Sequence, residues 1–180
     1  MSTRSSSLVL GVVVLTAFAS AELLAQEGPG LGVVATPAQV AGWALTILPD
    51  GTGLPPGSGT SAVGEIVYVQ KCLACHGENG VDGINDRLVG GHGSITSDAP
   101  IKTVGSFWPY ATTVFDYIRR AMPLTAPQSL TDDETYALTA YLLDLNDVID
   151  ADEVMNARTL PAVKMPNADN FFWAYSETKE

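Results

Sequence analysis

The sequence contains a short motif, Cys72-Leu73-Ala74-Cys75-His76, that fixes two thiols and an imidazole at close spacing. Two thiols at this spacing can each bond a vinyl group at one edge of a porphyrin. The next residue then brings its imidazole to the iron. A chain that carries this motif has to fold around the bound group. The motif therefore predicts one covalent haem c, with thioethers from Cys72 and Cys75 and with His76 as an axial ligand.

Three other uses of the motif are open. A thioredoxin-like redox pair belongs in a βαβ unit and has no need of the histidine. A structural zinc site takes four ligands, whereas outside the motif the chain has one further histidine, His92, and no cysteine. A disulfide between such close cysteines would close a very small loop. Haem attachment is the interpretation that we favour over these three.

The N-terminus has the pattern of an export signal. Arg4 supplies a positive charge, 8–18 form an apolar run, and Ala19-Ser20-Ala21 offers a cleavage site, with Ala25 as an alternative. The apolar run is shorter than the roughly 20 residues of a membrane-spanning helix. We therefore expect a signal peptide over 1–25, a periplasmic protein and no membrane span after cleavage. An uncleaved tether is the alternative.

The charge of the chain restricts its partners. Cleavage after Ala25 would remove Arg4 and Glu22, so the net charge of −11 is unchanged. This acidity disfavours nucleic acid and anionic lipid, and it favours a partner with a basic face. The length that remains suits one compact domain with extended arms.

The first part of the expected mature chain, 26–61, is rich in glycine and proline. Pro49-Asp50-Gly51 and Leu54-Pro55-Pro56-Gly57 are turn signals, so we predict an irregular, extended arm. Trp43, Ile47 and Leu48 are apolar enough to hold this arm against a domain.

Residues 62–146 are predicted to form the haem domain. A helix over 62–71 leads into the motif, with Ile66, Val67 and Tyr68 as its buried surface. The glycine-rich 77–98 segment has no strong periodicity and is predicted to be a loop at the haem edge.

Two further helices are predicted in this domain. Pro109 precedes a helix over 110–121, and the capping box that begins at Thr131 starts a second. Leu138, Tyr141, Leu142 and Leu145 recur at helical spacing in this second helix, as a stripe that faces the core. No strand signal is as strong, so the fold class is mainly α.

The tail, 147–180, begins with acidic residues and carries Phe171-Phe172-Trp173 near its end. Aromatic side chains are seldom left in water. We expect this tail to wrap its own domain or to dock on a partner.

Met122 is the strongest candidate for the second axial ligand. It follows the 110–121 helix, and Pro123 ends that helix where the chain has to turn. A thioether is a soft ligand that raises the reduction potential of haem iron. His92, between Gly91 and Gly93, is the alternative and would make a bis-histidine site of lower potential.

Residues near Met122 are candidates to contact a haem propionate. Arg119 or Arg120 could pair with it, and Trp108 and Tyr110 could donate through N–H and O–H groups. Ordinary surface or core packing is the alternative for each.

A set of longer motifs makes the chain resemble the class I c-type cytochromes. More narrowly, it is similar to the cytochrome subunit of sulfite dehydrogenases and to the haem domain of the Sox sulfur dehydrogenase. The resemblance spans roughly 37–170 and is carried by Pro49-Asp50-Gly51, Gly53-Leu54-Pro55-Pro56-Gly57-Ser58-Gly59, Cys72-x-x-Cys75-His76, Arg87-Leu88-Val89-Gly90-Gly91, Lys102-Thr103-Val104-Gly105-Ser106-Phe107-Trp108-Pro109-Tyr110-Ala111-Thr112-Thr113, Arg119-Arg120-Ala121-Met122-Pro123, Ala126-Pro127-Gln128-Ser129-Leu130-Thr131, Ala140-Tyr141-Leu142-Leu143, Leu160-Pro161-Ala162-Val163 and Met165-Pro166-Asn167.

The resemblance implies a class I cytochrome c fold, with three to five helices around one covalent haem. It implies Cys72 and Cys75 as thioether donors and His76 and Met122 as axial ligands. In such proteins the cytochrome pairs with a molybdenum-cofactor subunit that oxidises sulfite or protein-bound sulfur. The Sox cytochromes usually carry further sequence after this domain, whereas this chain stops after one haem domain, so we expect the sulfite dehydrogenase type or a stand-alone carrier.

We therefore expect an electron-transfer subunit that is no enzyme on its own, with a molybdenum dehydrogenase as donor and a further carrier as downstream acceptor. Two alternatives remain. The chain could be a free-standing periplasmic carrier, or Met122 could dissociate and open the iron in a haem enzyme or gas sensor.

Overall fold

The computed structural model describes residues 30–172, so the predicted leader and Trp173 lie outside the described residues. The chain divides into two units, one ending at Trp43 and the other beginning at Ala44.

The described part of the first unit contains helix α1, Pro37–Trp43. The prediction of an irregular arm is therefore wrong here. Thr36 and Gln39 form a capping box, in which the Gln39 N–H donates to Thr36 Oγ1 at 3.3 Å and the Thr36 N–H donates to Gln39 Oε1 at 2.9 Å. Proline at the first helical position fits the helix geometry. Trp43 is the last residue of this helix, and its predicted packing against the haem domain stays a prediction.

The second unit is mainly helical, and this confirms the predicted fold class. Short 3₁₀ turns lie in the loop after the motif and in the tail. The elements in chain order are β1 (Ser58–Thr60), α2 (Ser61–Lys71), α3 (Leu73–His76), α4 (Ala111–Ala121), α5 (Asp132–Asp144) and β2 (Val154–Asn156).

Helices α2 and α5 cross at very close range. A Cβ on Gly64 of α2 would lie 2.0 Å from the carbonyl oxygen of Ala137 in α5, so glycine is required at the crossing. Val67 and Tyr68 are buried as predicted, but Ile66 is 60% exposed. Ile66 lies off the buried face because that face follows Gly64 and then Val67 and Tyr68, three and four residues further along the helix.

Helix α5 is the centre of the domain. Its capping box is present, with Thr131 at the N-cap and Glu134 reaching back to it. Every residue from Thr135 to Leu143 is buried, which is more than the predicted stripe. The helix is enclosed because α2, α4, β1 and β2 all pack around it.

The two strands pair antiparallel, with Gly59 opposite Met155. Three-residue strands have too little alternation to be recognised in a sequence, and neither was predicted. Their pairing ties the segment before α2 to the tail. Met155, Leu160 and Met165 are all buried.

Each end of this unit has both buried and exposed apolar residues. Ile47 of the arm is buried, while Leu48 is 45% exposed. In the tail, Asn167 Nδ2 donates to the Phe107 carbonyl at 2.9 Å, and Phe171 stacks edge-on against Phe107. Phe172 is exposed. Within residues 30–172, no helix combines the length and apolar character needed to cross a membrane.

Candidate haem site

The motif forms one helical turn directly after α2. The Cys72 N–H donates to Tyr68 O at 2.8 Å and so ends α2. The N–H groups of Cys75 and His76 donate to Cys72 O at 3.1 and 3.0 Å, which closes α3. Residues at i, i+3 and i+4 of a helix share one face. The turn therefore presents both thiols and the imidazole on the same side.

The state of the thiols bears on the alternative uses of the motif. Cys72 and Cys75 are half-buried and are not joined in a disulfide. Burial raises the pKa of the Cys72 thiol to about 11. A thiol–disulfide redox pair needs a lowered thiol pKa, so this environment disfavours that use. Residues 30–172 contain no cluster of three or more histidine, cysteine, aspartate or glutamate side chains that could hold a metal ion.

One imidazole nitrogen of His76 is already engaged. Its Nδ1 lies 2.9 Å from the carbonyl oxygen of Asp86. A carbonyl can accept a hydrogen bond but not donate one, so Nδ1 carries the proton and Nε2 is left as the free lone pair. A backbone acceptor on Nδ1–H is the usual way in which a metal-binding histidine is oriented. The donor set of two thiols and an Nε2 therefore fits a covalently attached haem.

The loop that supplies Asp86 folds back tightly on the motif. Gly77 has φ +76°, and a Cβ there would lie 1.9 Å from Val81 O. The Asn85 N–H donates to Cys75 O at 2.9 Å, and the Leu88 N–H donates to Gly80 O at 2.8 Å. These bonds bring the Asp86 carbonyl to the histidine.

Met122 lies at the C-terminal end of α4. Its N–H donates to Ile118 O at 3.0 Å, and its backbone is extended, with φ −115° and ψ 148°. The extended conformation follows from Pro123, because proline disfavours helical geometry in the residue before it. The Met122 side chain is half-buried against the hydrophobic core. A thioether in this environment is chemically suited to haem iron.

The alternative ligand, His92, lies in the loop between Gly91 and Gly93, which both have positive φ. It is an exposed residue, and its Cε1 would be 2.7 Å from a Cβ on Gly105. The imidazole therefore lies against the Gly105 backbone. Its use as an axial ligand stays a prediction.

The two arginines that precede Met122 are paired with carboxylates. Arg119 Nε donates to Asp132 Oδ1 at 3.0 Å. Arg120 Nη2 donates to Asp116 Oδ1 at 2.8 Å and to the Leu45 carbonyl at 3.0 Å. These pairs engage both guanidinium groups, and a propionate contact by Arg119 stays a prediction.

The two aromatic candidates lie at the start of α4. The Trp108 ring packs edge-on against Tyr117, with 5.6 Å between ring centroids, and is partly buried against the core. Tyr110 is the N-cap residue of α4 and is exposed. Their propionate contacts also stay predictions.

The groups that support His76 were not predicted from the sequence. The acceptor is a backbone carbonyl, which carries no side-chain signal. Asn146 is the second omission: it is buried and binds the loop that contains Asp86. A polar residue directly after the apolar stripe of α5 is the signal that could have pointed to it.

Comparison with known proteins agrees with this geometry. The family model described as cytochrome c oxidase, cbb3-type, subunit III matches residues 59–142. The structure is also similar to a chain of the crystal structure of the sulfane dehydrogenase SoxCD from Paracoccus pantotrophus, with a TM-score of 0.75 and 42% sequence identity. The match covers 81% of this chain and 72% of that chain. No curated protein matches.

The chain belongs to the class I c-type cytochromes. A cytochrome c domain is an electron carrier and implies haem c. It is not an enzyme by itself, and the similar chain is part of a dehydrogenase complex. This cytochrome is therefore an electron carrier.

Proposed function

We propose that this cytochrome is an exported monohaem subunit that accepts electrons from a molybdenum-dependent sulfite or sulfur dehydrogenase. The observation that supports it most is the 42% identity to a chain of the sulfane dehydrogenase SoxCD over most of both chains. The cbb3-type family model matches a shorter part of the chain, residues 59–142.

Four residues hold the haem in this proposal. Cys72 and Cys75 would supply the thioethers, and Nε2 of His76 and the Met122 thioether would ligate the iron. Bound in this way, the haem would supply one-electron oxidation and reduction at a potential raised by the thioether. With both of these side chains as ligands, the protein would offer substrate no place at the iron.

The partner would carry the substrate chemistry. Oxidation of sulfite, with water as the source of the added oxygen, gives sulfate, two protons and two electrons, which the dehydrogenase accepts. A monohaem subunit accepts one electron at a time, so it has to be reduced and reoxidised twice for each sulfite. A downstream acceptor receives these electrons. The net charge of −11 favours partners with basic docking faces.

Export to the periplasm is part of the proposal. It is supported by the signal-peptide pattern over 1–25 and by the extracytoplasmic site of haem attachment in bacteria. The leader lies outside the described residues.

The test is purification from the native host under mild conditions. Sulfite, or a protein that carries a sulfane sulfur, is added anaerobically to the oxidised sample while the haem absorption is followed. We expect rapid reduction and a molybdenum-containing chain in the same fraction. The purified cytochrome alone, with the same additions, is the control and should stay oxidised.

Two results would overturn the proposal. Absence of both the molybdenum chain and reduction would favour a free-standing carrier. Carbon monoxide binding to the reduced wild-type protein at neutral pH would show an open iron site and favour a haem enzyme or gas sensor.

A further inference from the structure

The side chain of Asn146 lies at a junction of three segments. It is 1% exposed and directly follows α5 and Leu145. Its Nδ2 donates to Leu142 O at 2.8 Å and to Leu88 O at 3.2 Å, and its Oδ1 accepts from the Gly90 N–H at 3.1 Å. All three of these hydrogen bonds are to backbone groups, and two of them are to one loop.

The third segment leaves little room around Asn146. A Cβ on Gly105 would lie 2.5 Å from Asn146 Oδ1 and 2.8 Å from Asn146 Cβ. The Val104 N–H also donates to Leu88 O, at 3.2 Å. The amide is therefore held in one orientation, and the Leu88 carbonyl receives two donors.

The loop bound by Asn146 is the one that contacts His76. Asp86, whose carbonyl accepts from His76 Nδ1–H at 2.9 Å, lies two residues before Leu88. On the other side of Asp86, the Asn85 N–H donates to Cys75 O. Asp86 thus lies between two anchors, one on the motif and one on the end of α5.

We infer that Asn146 is a positioning residue for the axial histidine, which it orients by holding the loop that supplies the Asp86 carbonyl. This inference rests on the proposed ligand role of His76. A firm acceptor on Nδ1–H increases the electron donation of the imidazole to iron, which favours the oxidised state. Loss of the anchor weakens this hydrogen bond and raises the reduction potential.

The test replaces Asn146 with leucine, which has nearly the same shape but no hydrogen-bonding groups. Asn146→Ala is the second variant, in case leucine does not fit against Gly105. Asn167→Leu is the matched control. Asn167, in the tail, is also buried, at 6% exposure, but its amide donates to the Phe107 carbonyl and not to the loop that contains Asp86.

The measurements are made on purified holoprotein. We expect Asn146→Leu to shift the one-electron equilibrium towards the reduced form by up to about tenfold, or about 59 mV. Exchange of His76 Nδ1–H with solvent, followed by NMR in the reduced protein, should become at least about tenfold faster. Asn167→Leu should lower thermal stability without changing either quantity.

A purely structural role for Asn146 would give a different pattern. Asn146→Leu and Asn167→Leu would then both lower the melting temperature, and neither would change the reduction potential or the exchange of His76 Nδ1–H. That result would overturn the inference.

Wild-type protein provides a readout that needs no variant. If Asn146 holds the loop, the Gly90 amide and His76 Nδ1–H exchange through the same local opening and have matching protection factors, whereas unrelated protection factors would overturn the inference. The ring-current shift of the His76 resonances first establishes whether this residue binds the haem. A failure of the ligand role is thereby distinguished from a failure of the Asn146 inference.

Discussion

His76 and Met122, the two proposed axial ligands, are held in different ways. His76 is oriented by a hydrogen bond to a loop, and that loop is bonded in turn to the motif and to Asn146. Met122 is placed by the end of a helix and by the proline after it. Residues 124–129, which follow, are all exposed. A network of hydrogen bonds therefore orients His76, whereas the end of α4 and the following proline determine the position of Met122.

This difference has a physical basis. An imidazole has to present one nitrogen along a defined direction, and a hydrogen bond to the other nitrogen sets that direction. A thioether sulfur on a flexible side chain adapts to its surroundings. The histidine side should therefore be sensitive to changes in its support, and the methionine side mainly to loss of the sulfur itself.

The largest expected effect is that of removing the histidine. His76→Ala should lower the yield of holoprotein at least about tenfold, because a ligand contributes at least as much as its supporting groups. The measurement is haem content per polypeptide after denaturing electrophoresis. His92→Ala is the matched control and should retain normal haem content. A normal haem content in His76→Ala would contradict the ligand assignment.

Removal of the thioether should leave the haem attached but change its ligation. Met122→Leu retains the shape of the side chain, so we expect normal covalent haem, loss of the thioether–iron absorption and binding of carbon monoxide by the reduced protein. The reduction potential should fall, by part of the roughly 0.8 V range that axial ligands span. Met165→Leu, at a buried methionine of the tail, is the control and should change neither the absorption nor the reduction potential. An unchanged spectrum in Met122→Leu would instead point to His92.

Steric support on the histidine side can be tested at Gly77. Gly77→Ala places a Cβ 1.9 Å from Val81 O and forces a positive φ on alanine. We expect a loss of about 2–4 kcal/mol in the free energy of unfolding, from strain and overpacking together. Gly93→Ala is the control, because Gly93 has a similar φ of +71° but no atom within 4 Å of the added Cβ. Equal losses in the two variants would show that the close contact with Val81 is relieved without cost.

A smaller effect is expected at the start of α5, which supports both sides of the site. Glu134 forms an ion pair with Lys71 at 2.6 Å and accepts from the Thr131 N–H, and these contacts lower the pKa of its carboxyl. A lowered pKa in the folded state means that the carboxylate stabilises the fold above its unfolded pKa. This contribution is lost as the pH falls through the folded pKa.

Glu134→Gln should therefore cost about 1 kcal/mol at pH 7. The difference from wild type should shrink as the pH is lowered through the pKa of Glu134, as followed by chemical denaturation at several pH values. Asp152→Asn, at an exposed position after α5, is the control and should show a much smaller difference. A difference that persisted unchanged at low pH would mean that the carboxylate charge is not the source of the stability.

Much of the fold was predictable because it depends on local pattern. Helices α2, α4 and α5 were recognised from periodicity and from the capping box at Thr131. The errors arose where tertiary contacts override pattern: Ile66 was assigned to the wrong side of α2, and α5 is buried all round. Helix α1 is a different case, since the capping box of Thr36 and Gln39 is a helix signal in the sequence itself.

The sequence by itself determined the attachment motif, the helical class and the candidate ligands, because each follows from residue types at fixed spacing. Only the tertiary structure decided how His76 is supported. The acceptor on its Nδ1 is a backbone carbonyl, and the side chain that anchors this carbonyl's loop comes from Asn146, 60 residues after Asp86. Backbone groups are chemically alike at every position, so folding alone selects which of them meets the imidazole.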